Sequence, residues 1–187
     1  MQDSEEYSFL NPNEVLVHAT LHAGMRVADF GAGSGFFTRA AAREVGEEGV
    51  VWAVDTNQDL LVRIKNLSLV EGLPNIEIIQ GDAERAGGSN LPTGRFDFVI
   101  IANTLFSADE KLHVAKEAHR VLGPHGRALV VDWKGSFGGL GPHPEHVLTI
   151  GAARDLFEKA GFVYVGDVPA GSYHWGFVVR KKDRSAT

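Results

Sequence analysis

Val27–Thr38 reads VADFGAGSGFFT: a strand-like apolar run, glycines at 31, 33 and 35, and then the start of an alanine-rich helix. Glycine lets a backbone turn tightly from strand to helix and lets a ligand approach without meeting a Cβ. Amides at a helix start also favour an anionic group. A plain tight β–α turn would use the same residues, so the neighbours decide. Asp29 stands at the carboxyl end of the strand, where ligands of parallel sheets bind. A carboxylate there suits a cationic ligand group and repels a pyrophosphate. Alternatively, Asp29 ties down the loop amides.

The next strand candidate is Val50–Asp55, VVWAVD. Asp55 at its end can accept hydrogen bonds from both hydroxyls of a ribose, or it can N-cap the helix that follows. The dinucleotide fingerprint would need glycine at position 36, and this chain has Phe36. A third glycine allows close helix–strand packing over a pyrophosphate, which phenylalanine disfavours. The pattern suits a nucleoside with a small zwitterionic tail better than NAD.

Outward from this stretch, apolar runs alternate with helical periods. Phe36–Val45 and Asp59–Val70 read as helices, the latter with Leu60, Ile64 and Leu67 on one face. Ile76–Gln80, Phe96–Ala102 and Arg127–Trp133 read as strands, with a helix over Asp109–Leu122 ended by Gly123-Pro124. A last helix over Val147–Ala160 precedes the strands Phe162–Val168 and Tyr173–Lys181, which no helix separates. The expected fold is therefore α/β: a Rossmann-like, doubly wound seven-stranded sheet, mostly parallel with the last strand antiparallel. Residues 1–24 read as an N-terminal segment whose short helix, within Tyr7–Leu21, lies over the cleft with Tyr7, Phe9 and Leu10 as its apolar contacts. Residues 25–181 form the domain. Residues 182–187 end a charged stretch from Arg180 that reads as a solvated tail.

The 187 residues suit one domain with its own core. Cysteine is absent, which excludes disulfides, thiolate metal sites and a cysteine nucleophile. The net charge of −6 argues against a non-specific grip on nucleic acid. No apolar run approaches the roughly 18 residues of a membrane span, and the first residues do not read as a secretory leader, so a cytoplasmic location is expected.

VADFGAGSGFFT resembles the first motif of class I S-adenosylmethionine-dependent methyltransferases, and the likeness extends over about residues 10 to 180. Val54-Asp55 resembles the acidic position after the second strand. Gln80-Gly81-Asp82-Ala83-Glu84 is similar to the motif after the third, and Phe96–Ile101 to the fourth-strand motif. Arg120–Arg127 (RVLGPHGR) is similar to the turn before strand five, with His125 where the family has glycine. The resemblance implies S-adenosylmethionine as cofactor. It places Gly31, Gly33 and Gly35 beneath the methionine part and Asp29 near the ammonium group. It gives Asp55 the ribose hydroxyls, Asp82 with the Ala83 amide the adenine, and the Ala102 carbonyl the amino-acid end. Asp97 is read as structural.

The resemblance is to the small-molecule branch that includes ubiquinone/menaquinone-pathway enzymes, so a small-molecule acceptor is expected. Ala102-Asn103-Thr104-Leu105 departs from the N/D-P-P-Y motif of adenine and glutamine methylating branches, and the arsenite-methylating branch needs cysteines. In-line transfer from a sulfonium needs chiefly orientation, and a base only where the acceptor loses a proton. His143 and His146, in the glycine-rich loop Gly135–His146, are base candidates; otherwise one of them caps the helix near Val147 and the other is solvated. No third metal ligand accompanies them. Trp133 could stack on a planar acceptor or pack in the core. With no inserted substrate domain, the acceptor pocket is shallow or completed by a partner. The competing readings are a non-catalytic cofactor-binding scaffold of the same fold, an RNA or protein methyltransferase, and an NAD-dependent oxidoreductase.

Overall fold

Near-continuous apolar strands can persist only where both faces of a sheet are covered. The computed structural model, which describes residues 9–182, has this arrangement. The strands are β1 (Arg26–Phe30), β2 (Val50–Asp55), β3 (Ile76–Gln80), β4 (Phe96–Ala102), β5 (Leu122–Trp133), β6 (Phe162–Asp167) and β7 (His174–Lys181). The helices are α1 (Pro12–His18), α2 (Phe36–Val45), α3 (Gln58–Val70), α4 (Lys111–Val121) and α5 (Ile150–Lys159). The seven strands lie in the order β3-β2-β1-β4-β5-β7-β6. β1 to β5 pair in parallel, and β7 runs antiparallel to both β5 and β6. The expected doubly wound sheet with a reversed last strand is present.

Two apolar layers cover the sheet. Val15 and Leu16 of α1, with Ala19 at its C-cap, join α2 and α3 on one face, with Val27, Ile100, Leu129 and Val131 beneath them. α4 and α5 cover the other face, over Phe30, Val99, Val130 and Phe177. Strand order reverses between β1 and β4, which opens a crevice at their carboxyl ends. Asp97, at the start of β4, accepts a hydrogen bond from the Arg26 amide at 2.9 Å and aligns the two strands at the opposite end. No helix among the described residues is long and apolar enough to cross a membrane.

Three local readings need correction. β5 begins at Leu122, five residues before the expected start, because the turn pairs Leu122 with Phe96 before a bulge. α5 begins at Ile150, with the Thr149 side chain accepting from the Ala152 amide, so neither His143 nor His146 caps it. β7 runs to Lys181 as the expected strand Tyr173–Lys181 does, so the charged stretch read as a tail begins inside the sheet, and Lys181 Nζ donates to the Leu122 carbonyl at 2.8 Å. Tyr7 and residues 183–187 lie outside the described residues.

Candidate functional site

The crevice holds two adjoining cavities. One, of about 330 Å³, is lined by Leu10, Pro12, Asp29, the loop 31–34, Phe36, Phe37, Ala102 and Asn103. The other, of about 280 Å³, is lined by Gly31, Asp55, Gly81, Asp82, Ala83, Asn103 and Thr104, among others. Gly31 and Asn103 belong to both walls, so the cavities form one trough across the β1/β4 switch point.

The loop between β1 and α2 can only be built with glycine at its ends. Gly31 has φ +68°, and a Cβ there would lie 2.6 Å from Thr104 Oγ1. Gly35 has φ +76° at the N-cap of α2, and its Cβ would lie 2.6 Å from Ile64. Neither conformation nor space admits a side chain. Phe36 is 65% exposed at the cavity rim, while Phe37 fills the core behind it.

Asp29 is 2% exposed, and its carboxylate accepts from the buried Thr38 hydroxyl at 2.6 Å. Burial pushes its pKa up to about 7; the Thr38 hydroxyl opposes this and the nearby Asp55 charge adds to it. Thr38, one turn into α2, was not singled out in the sequence. The task of tying down the loop, considered for Asp29, falls to Asp55. One Asp55 oxygen accepts from the Gly33 amide at 2.9 Å and the other from the Asn57 amide at 2.9 Å. Asn57, not Asp55, is the N-cap of α3.

Asp82 opens the segment after β3. Its oxygens accept from the Glu84 amide at 2.9 Å and pair with Arg85 Nε at 3.0 Å. Arg85 is 81% exposed, so this ion pair lies at the surface. At the end of β4, Thr104 Oγ1 donates within reach of two carbonyls, those of Phe30 at 3.0 Å and Ala102 at 3.2 Å. This bridges the two strands across the switch point.

Asn103 lines both cavities and is a candidate that sequence reasoning did not single out. It sits at φ +53°, and its Oδ1 is buried with no hydrogen-bond partner. Asparagine tolerates that conformation better than most residues, which was the only signal available. A buried acceptor left unpaired in a cavity wall is a place for a ligand donor.

His143 and His146 stand apart from the trough. They line a separate depression with Phe106, Asp109 and Lys111, and both are exposed beside Glu145. Among the described residues, no group of three His, Asp or Glu side chains is arranged to hold a metal. Trp133 packs against His174, with ring centroids 4.1 Å apart, and lies beneath Gly141.

The methyltransferase domain family matches residues 21–160. The chain is 33% identical over 115 residues to the ubiquinone/menaquinone biosynthesis C-methyltransferase UbiE of Laribacter hongkongensis, covering 62% of this chain and 46% of that one. It is 33% identical over 121 residues to the demethylmenaquinone methyltransferase of Lysinibacillus sphaericus, covering 64% and 49%. The chain thus spans about half the length of the curated relatives it matches. The crystal structure of a SAM-dependent methyltransferase from Aquifex aeolicus superimposes with a TM-score of 0.84 at 29% identity, covering 93% of this chain and 91% of that one. The chain belongs to the methyltransferase domain family and has the class I S-adenosylmethionine-dependent methyltransferase fold.

Proposed function

We propose that the trough binds S-adenosylmethionine and that the chain directs its methyl group to a small-molecule acceptor. The observation that carries this reading is the continuity of the two cavities through Gly31 and Asn103, with Asp29 on one side and Asp55 and Asp82 on the other. The residues fit the group. A cationic sulfur and ammonium, a ribose and an adenine meet three carboxylates and the orphaned Asn103 Oδ1.

In this reading Asp29 faces the ammonium group, and the Gly31, Gly33 and Gly35 loop passes beneath the methionine part. The Ala102 carbonyl and Asn103 Oδ1 accept from the amino-acid end. Asp55 accepts from the ribose hydroxyls through lone pairs that the Gly33 and Asn57 amides leave free. Asp82, once Arg85 turns away, and the Ala83 amide hold the adenine. When bound, the cofactor would supply a methyl on a positively charged sulfur: the bond from acceptor atom to methyl carbon would form as the carbon–sulfur bond breaks, S-adenosylhomocysteine would leave neutral, and the proton the acceptor sheds would pass to solvent. The chain supplies orientation, which suffices for much of the rate with so good a leaving group. The names of the curated relatives favour a quinone-type ring as acceptor, and the similarity to them over part of their length supports that class.

Calorimetric titration with S-adenosylmethionine, S-adenosylhomocysteine and NAD tests the assignment. Micromolar binding of both adenosyl ligands, lost in Asp55→Ala, is the expected result. Binding of NAD alone would overturn it.

A further inference from the structure

Thr38 is the third residue of α2 and is fully buried. A hydroxyl in such a place costs free energy unless it finds a partner. In a helix, a threonine hydroxyl can turn back to the carbonyl three or four residues earlier. Here those carbonyls already have donors: Ser34 accepts from Arg39 Nη1 at 2.9 Å, and Gly35 from the Arg39 amide at 3.0 Å. The Thr38 hydroxyl crosses to β1 instead and donates to Asp29 Oδ2 at 2.6 Å.

The surroundings of Asp29 give its charge little other support. Its cross-strand neighbours are Ala53 of β2 and Ile100 of β4, both fully buried. Ahead of α1, Leu10 lines the same cavity, as do Pro12 at the start of α1 and Phe36 and Phe37 of α2, all uncharged. Among the described residues, the charge that acts on it is Asp55, which has the same sign. Desolvation and Asp55 push the Asp29 pKa up to about 7, and the Thr38 hydroxyl and amide oppose them. A carboxylate has about four lone-pair sites, so one bond to Thr38 fixes its orientation and leaves others for a ligand in the cavity that Asp29 lines.

We propose that Thr38 is a positioning residue for the cationic end of the cofactor, its hydroxyl orienting the Asp29 carboxylate toward the trough and holding it ionised. The inference rests on the proposed binding of S-adenosylmethionine in the trough. Without that hydroxyl, desolvation and the like charge of Asp55 are opposed only by the Thr38 amide, and the protonated form gains. A protonated Asp29 has no charge to set against an ammonium group. The loss is therefore pH-dependent. It is largest near neutrality and small in alkaline solution, where even a weakly acidic carboxyl is ionised.

The test uses the full chain with its aspartates labelled at the carboxyl carbon, titrated from about pH 5 to about pH 9 and followed by NMR, beside calorimetry with S-adenosylhomocysteine. The Asp29 signal is identified by its loss in Asp29→Asn. Thr38→Val should raise the Asp29 midpoint by about one pH unit, a tenfold change in proton affinity. It should weaken S-adenosylhomocysteine about fivefold near pH 7 but less than about twofold near pH 8.5, and Thr38→Ser should restore the original profile. Thr38→Ala, which also lacks the hydroxyl, should repeat both effects, so the outcome does not hang on how valine packs. In the Asp29→Asn background, Thr38→Val should change affinity less than about twofold at either pH, since its effect passes through Asp29. An unmoved midpoint, a loss of equal size at both pH values, or the full loss in the Asp29→Asn background would overturn the inference. Failure of S-adenosylhomocysteine to bind the unaltered chain, with the midpoint shift intact, would overturn the trough assignment while leaving the hold of Thr38 on Asp29 in place.

Discussion

Asp29 shows how much one side chain can reveal and how much it hides. Its place at a strand end before a glycine loop marks it in the sequence as a candidate ligand contact, and the structure puts it in the trough wall. Its burial and its bond to Thr38 were not legible, because they come from α2 folding back over β1. Asn103 was hidden for the same reason. In the sequence it is one more polar residue after a strand, and only the β1–β4 approach makes its Oδ1 a buried orphan. The raised pKa of Asp29 has a consequence for binding. Below about pH 7 the free protein holds this carboxyl protonated, and a cationic ligand must displace that proton. Affinity for S-adenosylhomocysteine should therefore fall on the order of tenfold from pH 7.5 to pH 6. In Asp29→Asn the profile should be flat across that range. Calorimetry in buffers of different ionisation enthalpy checks this directly, since proton release near pH 6 adds the buffer's heat.

At the scale of elements, strands were the easiest to read. β1 to β4 occupy their expected ranges: the central strands β1 and β4 are covered on both faces and nearly apolar along their length, and the half-exposed edge strand β3 is marked by Pro74 before it and Gly81 after it. Starts set by tertiary contacts were harder. The early start of β5 depends on pairing with Phe96, and the late start of α5 on the Thr149 cap. The long connection from β3 to β4 had no periodicity to read, yet it carries Asp82 and Ala83. Its anchor is Glu117 of α4, 1% exposed. Glu117 accepts from the Gly87 amide at 2.9 Å, the Ser89 amide and hydroxyl, and Arg120. Burial alone would raise its pKa, but the hydrogen bonds from Arg120, Ser89 and Gly87 bring it below the ordinary value. Its stabilising contribution is therefore present above the ordinary carboxylate pKa and is lost as the pH falls through the depressed folded value. Glu117→Ala should destabilise the protein by about 2–3 kcal/mol at neutral pH, less than a fully buried pair because Arg120 can reach water. It should also loosen the Asp82 segment. Urea unfolding measures the first effect, and hydrogen exchange of residues 81–91 the second.

On the scale of the whole molecule, the site exists because strand order reverses between β1 and β4, so loops from the two halves of the sheet face each other across a gap. Among the described residues, Gly31 and Asn103 line both cavities, and Thr104 Oγ1 bridges the strand-end carbonyls there. A ligand filling the trough would add a second bridge, from Asp29 and Ala102 at one end to Asp55 and Asp82 at the other. The folded state then gains what the unfolded chain cannot. At a concentration about 100 times its Kd, S-adenosylhomocysteine should stabilise the fold by about 2.7 kcal/mol. For a domain of this size that is a Tm rise of roughly 5–10 °C. Asp55→Ala should lower the starting Tm, since Asp55 holds the Gly33 amide, and should also abolish the ligand-induced rise. Hydrogen exchange then tells a bridge from a local contact. Slowing in residues 31–35, 81–84 and 102–105 together, with the distant edge strand β6 unchanged, is the expected pattern. Slowing confined to residues 55–57 and 81–84 would mean that the adenosine half binds alone and that the trough does not act as one site.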